Sequence, residues 1–145
     1  MFRIFDATAD LLARIPHSVI GLLGRLSLGW IFWTTGRARV DGSWNILEPH
    51  GATMAMFRGG YDVPYVPAAA AAIAVQLAEF VLPVLLALGL ASRLAALGLL
   101  VLIIVLELFV HWGPYAVHGV WATVLLVIIK YGPGTFSLDH LMGRR

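Results

Sequence analysis

Apolar residues dominate four stretches of the chain, and polar residues cluster between them. A helix rises about 1.5 Å per residue, so about 20 residues cross a hydrocarbon core of about 30 Å. Gly113-Pro114 separates the third stretch from the fourth, and Gly132-Pro133-Gly134 ends the fourth. The pattern predicts an all-α membrane protein with four transmembrane helices in an antiparallel bundle, with spans at about 16–35, 65–90, 93–112 and 115–131.

The segments around these spans complete the predicted organisation. Charged and apolar residues alternate with a helical period over residues 1–15, which predicts a short amphipathic helix lying on the membrane surface. Residues 16–132 then form the four-span membrane domain, with an outer connection over 36–64. Residues 133–145 form a C-terminal tail, in which Ser137 caps a short helix.

Composition supports lipid as the solvent for much of the surface. The 145 residues are 60% hydrophobic and 12% charged, whereas soluble domains carry about 25% charged residues. The absence of cysteine excludes thiol nucleophiles, thiolate metal sites and intrachain disulfides. The formal charge of +2 gives no indication of nucleic-acid binding.

The distribution of basic residues predicts the orientation. Four spans place both termini on one side of the membrane. That side carries six of the basic residues: Arg3, Arg14, Arg93, Lys130, Arg144 and Arg145. The other side carries Arg37, Arg39 and Arg58. The positive-inside rule therefore places the N- and C-termini in the cytoplasm.

Ionisable residues inside the spans are the first candidates for a site, because each costs roughly 2.5–3.5 kcal/mol to insert. Arg25 lies roughly 14 Å deep in the first span and Glu79 roughly 16 Å deep in the second. The matching depths predict an Arg25–Glu79 ion pair, with Gln76 one turn away on the same face as Glu79. The alternative is that such a pair only fixes helix register.

A second polar group is predicted near the outer ends of the last two spans. Glu107 and His111 are four residues apart on one helix face, and His118 lies in the first turn of the next span. Glu48 and His50, on the outer connection, could fold over them. A carboxylate with histidines could relay protons, bind a metal or hydrogen-bond a quinone. Alternatively, the histidines simply meet lipid headgroups and water.

Three sequence segments, in order, resemble the DoxX family. Arg25-Leu-Ser-Leu-Gly29, followed by Ile31-Phe32 and Gly36, is similar to the first span of that family. Glu79, followed by Leu85 and Gly89-Leu-Ala-Ser-Arg93-Leu, is similar to its second span and the turn into the third. Gly132-Pro-Gly-Thr-Phe-Ser-Leu-Asp139 is similar to its C-terminal signature.

The resemblance implies a four-span protein of the bacterial inner membrane. Family members are associated with quinol oxidase and thiosulfate:quinone oxidoreductase systems, and others with oxidative-stress complexes. The segment from Glu107 to His118 also resembles a subgroup linked to peptide-modifying enzymes and small metal-binding peptides. The chain departs from many relatives at Thr34-Thr35-Gly36-Arg37, where they carry a His-Gly pair and a lysine.

Three functions follow as expectations. The first is an accessory membrane subunit of a quinone-linked or other redox system, with a quinone as the possible cofactor. The second is an accessory for transport of a small molecule, a metal or a metal-binding peptide, acting as a homodimer. The third is a scaffold for a redox or peptide-modifying partner protein. No haem or iron–sulfur ligand pattern is present in the sequence, and catalysis by the isolated chain is not expected.

Overall fold

The structure is a computed structural model that describes residues 10, 12–40, 47–59, 66–110 and 115–143. Within these residues it is all-α, with no strand. The helices are α1 (His17–Ala38), α2 (Gly51–Gly59), α3 (Ala68–Leu88), α4 (Ser92–Val110), α5 (Tyr115–Tyr131) and α6 (Leu138–Leu141). We call the end of the bundle at which α1 and α4 begin the base, and the opposite end the top.

Two of the described helices are long and apolar enough to cross a membrane, namely Ala68–Leu88 and the Ser92–Phe109 stretch of α4. The apolar helix α5 has 17 residues, one short of the same criterion. Helix α1 has 22 residues but is less apolar, since it carries Arg25 and Arg37. Predicted and observed bounds agree within about three residues for these helices, and they coincide for α5.

The four long helices pack in a ring. Helix α1 contacts α3 and α5, and α4 contacts the same two helices. Small residues permit close approach, as at Gly29, where an added Cβ would lie 3.1 Å from the Ala87 Cβ and from the Pro83 carbonyl oxygen. The shared core consists of Leu28, Phe32, Leu86, Ala95, Ala96, Leu99, Leu102, Ile103, Leu125 and Ile128.

Helix α2 lies inside the connection that was predicted only as a polar loop. Phe57 is 3% exposed and packs against Ala71 and Ala72 at the start of α3. This contact explains why nine residues form a helix, because an isolated helix of that length is marginal in water and needs tertiary packing. The connection therefore covers the top part of α3.

The two terminal predictions have different outcomes. The predicted surface helix over residues 1–15 lies almost wholly outside the described residues. At the other end, the Ser137 cap is confirmed, since its hydroxyl accepts a hydrogen bond from the His140 backbone N–H at 3.2 Å. The residues before this cap pack against the base of the bundle: an added Cβ at Gly21 would lie 3.1 Å from the Pro133 carbonyl oxygen.

Candidate functional site

Glu79 is buried in α3 and forms an ion pair with Arg39, the residue that follows α1. Arg39 Nε lies 3.1 Å from Glu79 Oε2, and the two side chains are 24% and 3% exposed. Glycine at position 36 allows the approach, because an added Cβ there would lie 3.2 Å from both the Cβ and the carbonyl oxygen of Glu79. Gln76, one turn from Glu79, is fully buried.

The predicted Arg25–Glu79 ion pair is wrong. Arg25 is fully buried, but it donates hydrogen bonds to the carbonyl oxygens of Ala87 at 3.2 Å and Phe136 at 2.5 Å. Glu79 pairs with Arg39 instead. The two predicted partners therefore belong to different polar groups, one at the base of the bundle and one nearer the top.

The physical reason is the register between α1 and α3. Gly36 faces Glu79 and Gly29 faces Ala87, so the first turns of α1 extend past the end of α3. Arg25 consequently lies level with the end of α3, about 16 Å of helix below Gly36. The depth estimate failed because it assumed that the start of the first span and the end of the second lie at the same level. The sequence contains a basic residue at position 39, but it gives no signal for the register of α1 against α3 that places this residue beside Glu79.

The predicted outer group is brought together in part. Nδ1 of His118 contacts Oε1 of Glu107, which joins the start of α5 to the last part of α4. The side chains are 22% and 17% exposed, so the pair is partly shielded from solvent. His111, the third predicted member, lies outside the described residues.

Glu107 and His118 differ in what surrounds them. The His118 ring lies 5.0 Å from the Trp121 ring, and Trp121 in turn packs edge-on against Phe32 of α1 at 5.5 Å. These contacts fix the imidazole against the bundle. Oε2 of Glu107 is buried and has no hydrogen-bond partner among the described residues. The pair therefore presents an unused carboxylate oxygen beside a positioned imidazole.

The two loop residues lie at the edge of the described connection. Nδ1 of His50 accepts a hydrogen bond from the Ala52 backbone N–H at 2.9 Å, at the start of α2. The backbone N–H of His50 donates to the Arg39 carbonyl at 3.0 Å, so this residue lies beside the Arg39–Glu79 pair. Glu48 is exposed. A contact of either residue with Glu107 or His118 stays a prediction.

The arrangement limits the chemistry of the site. Within the described residues, no group of three or more histidine and acidic side chains could hold a metal ion. A groove of about 270 Å³ between α1 and α3 is almost entirely apolar, so it offers no hydrogen bonds to a polar headgroup. It is lined by Leu26, Gly29, Trp30, Trp33, Pro83, Val84, Ala87 and Leu88. Glu107 and His118 can form hydrogen bonds with a ligand, and either can transfer a proton to it or accept one from it.

Comparison with known proteins gives one result. The sequence profile of the DoxX family matches residues 20–112. This stretch contains Arg25, Glu79 and Glu107, and it ends before His118 and the C-terminal signature. No curated protein and no solved structure matches the chain.

Proposed function

The chain belongs to the DoxX family, and we propose that it is a four-span protein of the bacterial inner membrane that serves as an accessory subunit of a quinone-linked redox system. Its own contribution is the Glu107–His118 pair, which binds the polar ring of a quinone or quinol. The electron transfer itself belongs to the bound quinone and to a redox partner protein.

Apolar surface supports the membrane part of the proposal. Large apolar side chains on the outer faces of the long helices are exposed, among them Leu23 at 60%, Leu94 at 71% and Val120 at 62%. Such continuous apolar exposure is costly in water and is the rule in lipid. The proposal counts α1 and α5 as spans in addition to the two helices that are long and apolar enough to cross a membrane.

Oε2 of Glu107, which has no hydrogen-bond partner within the described part of the chain, carries the site assignment. A buried acceptor without a hydrogen bond is expensive, so a ligand that donates to Oε2 is favoured. A quinol hydroxyl is such a donor. His118 supplies a second ring nitrogen beyond the one that contacts Glu107, and an imidazole can donate to a quinone carbonyl or pass on a proton. The quinol would thus donate a hydrogen bond to Glu107, and the quinone would accept one from His118.

Quinone titration of the purified protein tests the proposal. The wild-type protein, stripped of endogenous quinone, is expected to bind a short-tailed quinone saturably. Glu107→Gln removes the charge at nearly constant shape and is expected to raise the Kd about tenfold, the effect of one charge-assisted hydrogen bond. Asp10→Asn changes an exposed carboxylate near the start of the chain and serves as the control, with no change in Kd. Absence of saturable binding by the wild-type protein would contradict the proposal.

A second function is favoured by the two polar levels in the bundle. Gln76 and the Arg39–Glu79 pair lie below the Glu107–His118 pair, and buried polar groups at several depths are typical of a transport path. Transport of a small molecule or metal would then be the activity. Flux into proteoliposomes that is equal for wild type and Glu107→Gln would argue against this path.

A further inference from the structure

The segment from Gly132 to Leu141, here called the C-terminal latch, is fastened to the base of the bundle by contacts with α1, the end of α3 and the start of α4. The Ser18 hydroxyl of α1 accepts a hydrogen bond from the Thr135 backbone N–H at 3.0 Å. Arg25 of α1 donates to the Phe136 carbonyl oxygen. The Asp139 backbone N–H donates to the Gly89 carbonyl at 2.8 Å, at the end of α3.

Asp139 makes the strongest connection in the latch. Its Oδ1 accepts from the Ala91 backbone N–H, and its Oδ2 accepts from both the backbone N–H and the hydroxyl of Ser92, all at 2.8 Å. These groups form the start of α4, where a carboxylate satisfies otherwise unpaired N–H donors and complements the positive end of the helix dipole. The latch therefore caps a helix that begins 47 residues earlier in the chain.

The latch packs closely against the base of the bundle at two glycines. A Cβ at Gly89, which has φ +73°, would lie 2.3 Å from Nη1 of Arg25 and 2.5 Å from the Ser137 Cβ. A Cβ at Gly134, with φ +82°, would lie 2.7 Å from the Ser18 Cα. Any side chain at these two positions would clash, so the seating of the latch requires glycine at both.

The guanidinium of Arg25 is not fully hydrogen-bonded in the seated arrangement. Arg25 is completely buried, and its Nε has no hydrogen-bond partner among the described residues. An orphaned N–H on a buried charge opposes the closed state, whereas water at the base would satisfy it. The latch covers this arginine from the base side, through the contact at Phe136.

We propose that residues 132–141 act as a releasable latch whose departure from the base admits water to Arg25. Closed, the latch caps α4 and buries the arginine. Open, it frees the first amides of α4 and hydrates the Arg25 Nε. The device is independent of the Glu107–His118 pair, which lies toward the opposite end of the bundle.

Hydrogen exchange in a reversibly locked variant tests this proposal. The chain has no cysteine, so Ser18→Cys with Thr135→Cys can form only one intramolecular disulfide. The Thr135 backbone N–H lies 3.0 Å from the Ser18 hydroxyl, and formation of the disulfide is checked by mass. Amide exchange at Ala91, Ser92 and Asp139 is measured in the reduced and the oxidised form. Both forms carry the same substitutions, so any difference reports the lock.

Locking is expected to slow exchange at these three amides about tenfold, while Leu99 in the middle of α4 stays unchanged. In the reduced form, Asp139→Asn is expected to speed exchange because it weakens the cap of α4, and Arg14→Gln, at an exposed arginine, is the control. Either of two results would overturn the proposal: a locking effect below about threefold, or no response to Asp139→Asn.

Discussion

The buried charged side chains Glu79 and Arg25 have partners that no local sequence pattern identifies. Glu79 is paired with Arg39 across 40 positions of sequence, and Arg25 is bonded to backbone carbonyls of two other segments. The cost of inserting an ionisable group made it possible to predict from sequence that each of these residues has a partner. The identity of the partner depends on the register between helices, which the apolar sequence of the spans does not specify.

A double-mutant cycle tests the revised pairing. Glu79→Gln and Arg39→Gln are expected to show a coupling free energy of unfolding of about 1–3 kcal/mol, because each single variant leaves one shielded charge without its counter-ion. The measurement is chemical or thermal unfolding in detergent. The matched cycle of Glu79→Gln with Arg25→Gln is expected to give less than about 0.5 kcal/mol. Coupling in the second cycle and none in the first would restore the Arg25–Glu79 pair.

The sequence predicts the helices better than it predicts the contacts between them. Apolar stretches with glycine and proline at their ends predicted α1, α3, α4 and α5 closely. Helix α2 was missed because it is short, and its burial depends on the packing of Phe57 against α3. The docking of the C-terminal segment was missed for a similar reason: the sequence predicts a local cap at Ser137, but it gives no signal that the Asp139 carboxylate caps α4.

Two glycine-to-alanine substitutions distinguish the effect of packing between helices from the effect of helix propensity on stability. Gly36→Ala is expected to destabilise the protein by about 1–3 kcal/mol, because the new Cβ meets the Glu79 backbone at 3.2 Å. Gly119→Ala in α5 is the control, since nothing lies within 4 Å of the added Cβ. There, helix propensity predicts stabilisation by up to about 1 kcal/mol. Unfolding measurements that give the same sign for both variants would contradict the α1–α3 packing.

The whole molecule combines a ring of four helices with two polar groups near the top and a fastened segment at the base. Membrane residence was predictable from composition alone, because a chain with 12% charged residues cannot cover its surface with polar groups. The site was predictable only in outline. Glu107 and His118 are 11 residues apart on consecutive helices, whereas the contact of Glu79 with Arg39 depends on the fold.

Topology is the claim on which the rest of the account depends, and single-cysteine labelling tests it most directly. Glu48→Cys and Met142→Cys are introduced separately into the naturally cysteine-free chain, at two exposed positions. A membrane-impermeant maleimide is applied to sealed right-side-out and inverted vesicles. Four spans predict that Glu48→Cys reacts from the periplasmic side and Met142→Cys from the cytoplasmic side. Labelling of both positions from the same side would contradict the four-span bundle.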